Sequence, residues 1–254
     1  MATGQPALEG AQLVNEVVEL VMSNSASSFT VAQYKKRADA LLSKDLFNAS
    51  LALGMLGTLA HDEAEMRKHF ERAIQLRPGY NPAIGNYASS LYRMNFFSEA
   101  SDKALDNYRI APASPTAVGL AIDTCTAAFR VSTAKELLSQ WEKIQPGVEN
   151  KFSGGIHQAL EYISSFQIPE KLVEQQIEFA LKLLRESHHQ ATAWHLDFLS
   201  DEESTWMTYD LVLHEPVDVV VELNTQLAER MAGSDLFRKT ASHVLVMYLV
   251  EDET

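Results

Sequence analysis

One cysteine, Cys125, in 254 residues leaves no partner for an intramolecular disulfide and no thiolate set for a Cys-based zinc site. Gly (11) and Pro (8) are too sparse for a fibrous or low-complexity chain. No apolar run approaches the ~18 residues of a membrane span; the stretch 13–22 is broken by Asn15, Glu16 and Glu19. The start, MATGQPALEG, lacks the basic-then-apolar order of a signal peptide, so a cytoplasmic protein is expected. Basic residues are also scarce. The net charge is −13, which argues against direct nucleic-acid binding. From Glu186 to Glu229 there is no Lys or Arg, against ten Asp and Glu. The plain reading of that stretch is a solvated surface; the sharper one is a face that steers a basic partner.

What the chain does have is an internal repeat. IQLRP, YRIAP and EKIQP end at Pro78, Pro112 and Pro146, 34 residues apart each time. Alignment on these prolines gives units 47–80, 81–114 and 115–148. Leu76, Ile110 and Ile144 share one column, Phe70, Ala104 and Leu138 another. Each unit reads as two helices. Ile84, Tyr87, Ala88 and Leu91 fall on one helical face, and Phe97, Ala100, Ala104 and Tyr108 on a second. Asn95 stands at the turn between them, and the closing proline ends the second helix. Gly54, Ala88, Ala100 and Ala134 allow close helix approach.

This pattern resembles the tetratricopeptide repeat (TPR) family in period and in its small, aromatic and proline columns. It departs at the family's early Trp, which is Ser50, Ile84 and Val118, and at Met66 in place of Ala. Helices are also expected over 8–22, 31–42, 156–166 and 169–187. The resemblance implies a mainly α fold, a TPR-like right-handed α-solenoid of helix pairs. Residues 1–46 would form N-terminal helices or a cap, 47–148 three repeats, and 149–189 a further pair or cap. It further implies a concave groove that binds a partner's peptide or helix, lined here by Asn48, Leu51, Met55, Leu59, Ser89, Tyr92, Arg93 and Asp123. The chaperone-type carboxylate clamp is replaced by Leu51, Met55, Ser89 and Thr116.

Residues 190–254 are different in kind. WMTYDLVL (206–213) and VLVMYLV (244–250) are rich in β-formers, and Val220, Leu223, Leu227 and Met231 have helical spacing. The expectation is a small acidic α/β module, strand-helix-strand, that docks on the helices or pairs across a homodimer. Asp201, Glu202, Glu203 and Asp210 mark its acidic partner face. Trp194 and Trp206 read as locks for the module, and Trp141 as core.

Catalytic signatures are sparse. GxxxxGK[ST], GxGxxG and GxSxG do not occur. His188, His189 and His195 fit no metal spacing, and Cys125 reads as a buried thiol. The sequence therefore points to a non-catalytic adaptor or chaperone with a protein or peptide partner, no cofactor, no metal and no membrane insertion. The alternative is an inhibitor or immunity-type regulator whose acidic face masks a basic surface. Least favoured is an enzyme with a site between repeats and module.

Overall fold

The computed structural model describes residues 5–23, 26–200 and 204–251. Helices come first, in antiparallel pairs: α1 (Gln5–Ser23), α2 (Ser28–Leu41), α3 (Leu46–Leu59), α4 (Glu63–Leu76), α5 (Asn81–Arg93), α6 (Phe97–Ile110), α7 (Pro115–Ala127), α8 (Val131–Ile144), α9 (Ser153–Ser165) and α10 (Glu170–Glu186). Then follow β1 (Ala191–Ser200), β2 (Thr205–Leu213), α11 (Val217–Ala232), α12 (Asp235–Arg238) and β3 (Val244–Val250). The fold is mainly α, a TPR-like series of helix pairs closed by a small three-stranded sheet with its crossover helix.

The 34-residue period has a backbone cause. His61, Asn95 and Phe129 all adopt the left-handed conformation (φ 53°, 60° and 55°) and lie 34 residues apart. Each ends the first helix of a pair. At His61 and Phe129 the hydrogen bonds are those of a Schellman cap: Asp62 N donates to Gly57 O (2.9 Å) and Arg130 N to Cys125 O (2.7 Å). Gln167 and His188 repeat the device at the ends of α9 and α10. Between pairs, Gly79 and Gly147 follow Pro78 and Pro146 at φ near +75°, where glycine carries no Cβ penalty.

The chain divides into two compact units. The first comprises Met1–Met94 with Asp102–Pro112. Its centre is α3, LFNASLALGMLGTL, apolar on every side and buried from Phe47 to Thr58 save for half-buried Asn48. A helix without a polar face needs neighbours all round; α1, α2, α4 and α5 supply them. Two glycines set the α3–α4 distance. A Cβ on Gly57 would stand 2.7 Å from the Met66 backbone nitrogen, and one on Gly54 2.8 Å from the Phe70 ring. Phe70 stacks on Tyr87 of α5 (5.1 Å). Asp45 and Asp62 cap α3 and α4, accepting from Asn48 N and Glu65 N.

His69 sits in this core at 4% exposure, with Nε2 on Glu65 (3.2 Å) and Nδ1 unpartnered. Burial pushes its pKa down. Below about pH 6.5 the unfolded imidazole takes a proton that the folded one resists, so stability falls as the pH drops through that range. Urea midpoints should therefore decline from pH 7 to pH 5, and His69→Gln should flatten the decline. An equal slope in wild type and variant would assign it to other groups.

The second unit comprises Asn95–Ser101 and Ala113–Thr254. Its strand order is β1-β2-β3, with β1/β2 antiparallel and β2/β3 parallel. The expected strand-helix-strand is present as β2, α11 and β3. In addition, β1 turns residues 191–200 into a strand that sequence reading missed. Its alternation is weak, because only one face finds a neighbour (burial pattern Beeieieiee).

That one face docks on the helices. Tyr209 donates to Ala127 O (2.6 Å) at the end of α7, and Tyr248 to Ala180 O (2.8 Å) on α10. Tyr162 of α9 donates to Thr205 O and His243 O (2.8 and 2.9 Å). Trp194 lies stacked between Tyr209 (5.5 Å) and Phe152 (5.4 Å). Trp141, expected in the core, is half-buried instead; its indole donates to Val148 O (2.7 Å), tying down the loop after α8.

Candidate functional site

The groove positions implied by the TPR resemblance do not share one character. Leu51 and Met55 are each 2% exposed, so they are core rather than open groove. Helices α1, α2, α4 and α5 all pack on α3, and at its start Gly10 of α1 lies so close that a Cβ there would be 2.9 Å from the Asn48 Cβ. Asn48 is half-buried and donates to Asp45 (2.7 Å), and Leu59 is half-buried at the helix end. Ser89, Tyr92 and Arg93 keep partial exposure on α5. Asp123, on α7 in the second unit, is half-buried with Lys151 at 3.3 Å, and burial pushes its carboxyl up.

Asp201, Glu202 and Glu203 lie outside the described residues. Asp210 is not a solvated acid: it is 7% exposed in the central strand. His189 Nδ1 meets Glu215 (2.9 Å), His188 is the left-handed cap of α10, and His195 is exposed on β1. Among the described residues no three His, Cys, Asp or Glu side chains group as metal ligands, and no helix is long and apolar enough to cross a membrane. Cys125 is fully buried.

A feature that sequence reading did not find lies beside β3. A cavity of about 510 Å³ opens there, within the range of ligand pockets. Its walls are Leu227, Ala228 and Met231 of α11, Phe237 of α12, and Val244–Met247 of β3. The strand is a sheet edge, and its register is legible from its hydrogen bonds. Met207 N donates to His243 O, and Glu251 N to Leu213 O, so odd-numbered residues of β3 face β2. Backbone groups of alternate residues in a parallel strand face opposite ways. Val244, Val246 and Tyr248 therefore present theirs outward.

At Tyr248 a side chain already plays the next strand. Asn224 donates to Tyr248 O (2.8 Å) and accepts from Tyr248 N (2.9 Å), the two-bond pattern of a ladder partner. At Val246, two residues earlier, no such group intervenes among the described residues, and Val246, 5% exposed, lines the cavity. Gln176, Asn224, Ser234 and Arg238 add polar groups to the lining. Gln176 is 1% exposed; its Nε2 donates to Thr240, and its Oε1 has no partner. The only sequence signal for this site was the β-branched run of 244–250 beside an amphipathic helix. The open side of the strand depends on pairing order, which no local pattern encodes.

No family model and no curated protein matches the chain. Among solved structures, one described as the functional characterization of Pseudomonas aeruginosa pilF aligns with a TM-score of 0.48 at 11% identity, covering 92% of this chain and 97% of that one.

Proposed function

We propose that this chain is a non-catalytic protein-binding scaffold that takes a partner segment in extended form along the edge of β3. One observation carries the reading: Val246, on the edge strand with its backbone turned away from β2, lines a mainly apolar cavity of about 510 Å³. An edge strand offers hydrogen bonds to any sequence, and an adjoining pocket selects side chains. In this reading, 47–148 is the repeat frame, 1–46 and 149–189 flank it, and 190–254 is the docking module. The scaffold serves as an adaptor or chaperone. Apolar walls with Met231 and Met247 suit a range of apolar side chains.

A photo-crosslinking residue at Ala228, an exposed cavity-lining position, tests the proposal in the native extract. The expected product is a single partner joined through a short apolar segment, retained at high salt. Ala228→Trp should fill the cavity and weaken binding of that segment at least tenfold, and the Val246 amide should exchange more slowly in the complex. Crosslinks that form only when the probe is moved to Ser89 or Arg93 on α5 would overturn the β3 reading in favour of the repeat groove.

A further inference from the structure

The sheet has a second face, open along β1 and β3 and buried along β2, where Thr208, Asp210 and Val212 are at most 7% exposed. Side chains alternate across a strand, so Tyr209 and Tyr248 bind the helices while Asp210 and Met247 point the other way. Cross-strand register sets His195 and Met247 on either side of Asp210. Around them lie Leu199 (54% exposed), Leu245 (46%) and Leu249 (38%). The solvent face of such a sheet normally carries polar residues; this one is largely apolar with one acid at its centre.

That acid is incompletely satisfied. Asp210 is 7% exposed, Thr208 donates to its Oδ2 (3.2 Å), and its Oδ1 has no hydrogen-bond partner. A buried carboxylate oxygen left unpaired is costly. Burial and the neighbouring Asp197 both push the Asp210 carboxyl up, burial more strongly, while His195 works the other way. The surrounding sequence offers no cation, since 186–229 contains neither Lys nor Arg.

We propose that this sheet face docks a partner protein that presents an arginine or lysine set between apolar residues, its cation drawn to exposed Asp197 and the buried Asp210 carboxyl and its apolar neighbours covering Leu199, Leu245 and Leu249. A second copy of this chain fits poorly, because face-to-face pairing would set Asp197 and Asp210 against acids like themselves. This face shares Leu245 and Met247 with the wall of the β3 cavity and differs from it in Leu199 and Asp210, which do not line that cavity.

A displayed library of 12-residue peptides, selected on the full chain, tests this. Selected sequences should carry Arg or Lys flanked by apolar residues. One such peptide, synthesised and titrated, should bind Asp210→Asn and Leu249→Glu at least tenfold more weakly than wild type. It should bind Ala228→Trp with unchanged affinity, which separates this face from the β3 cavity. Asparagine keeps the shape and the Thr208 bond, so the fold survives the key variant. Selected peptides without a basic residue, or affinity for Asp210→Asn within twofold of wild type, would overturn the proposal. So would sedimentation showing a dimer that Leu249→Glu abolishes, since the face would then belong to a second copy.

Discussion

Replacing Gly57 by valine is expected to destabilise the first unit by about 3 kcal/mol, the upper part of the usual range for overpacking a core. The new Cβ would stand 2.7 Å from Met66 N and 2.9 Å from Met66 Cα. Both are backbone atoms, so no side chain can rotate away and α3 and α4 must separate. Separation exposes Leu53, Leu56, Phe70 and Ala73, all at 3% exposure or less. A β-branched residue also loses χ1 freedom against the preceding helical turn. Gly155→Ala provides the control. Nothing lies within 4 Å of a Cβ there, and α9 should gain up to ~1 kcal/mol from the better helix former. Urea titrations followed by helical circular dichroism read both variants. A midpoint for Gly57→Val equal to wild type would show that the α3–α4 contact is loose.

Asn95→Ala should have a comparable effect on the second unit, for a different reason. Asn95 is 3% exposed with φ at +60°, and its amide makes both bonds of a strand partner to β1: Nδ2 donates to Ala191 O (3.1 Å) and Oδ1 accepts from Ala191 N (2.8 Å). Arg185 donates to Asn95 O (2.6 Å) and lies over the Phe96 ring at 4.5 Å. Alanine leaves two backbone groups of a buried residue unpaired, each costing ~1–3 kcal/mol, and adds ~1–2 kcal/mol for a left-handed non-glycine residue. The loss should be at least about 3 kcal/mol. Asn95→Gly removes the bonds but not the backbone fit, so it should recover roughly 1 kcal/mol of that. Hydrogen exchange at the Ala191 amide should accelerate in both variants. If that exchange stays at the wild-type rate, the amide pairing does not hold β1.

These two residues show how far the sequence could be read. Asn95 was recognisable as a turn, because Asn tolerates positive φ and stands between two apolar helical stripes. Its second task, holding a strand 96 residues away, was invisible, since no local pattern marks a partner that distant. Gly54 was legible as a close approach through its repeat column. Gly57, whose contact with backbone is the less forgiving, belongs to no column and gave no signal. The same limit applied to β1, whose single docked face weakens its alternation. It applied again to Leu51 and Met55, which the TPR resemblance placed at an open surface and which are buried in a helix packed on by four others.

Helix pairs, their 34-residue period and a C-terminal strand-helix-strand stretch were legible in the sequence, whereas the two compact units, the second running from Ala113 through the sheet, were not. The legible features rest on local physics: apolar spacing, helix-ending prolines, and turn residues suited to left-handed φ. Tertiary structure alone decided which positions remained open. Pairing order made β3 an edge, the alternation of its backbone turned Val246 away from β2 while Asn224 covered Tyr248, and the docking of one sheet face left Asp210 on the other. Each is a property of what lies next to a segment rather than of the segment. The edge of β3 and the second face of the sheet are set by those neighbours, so they emerge only when the chain is folded.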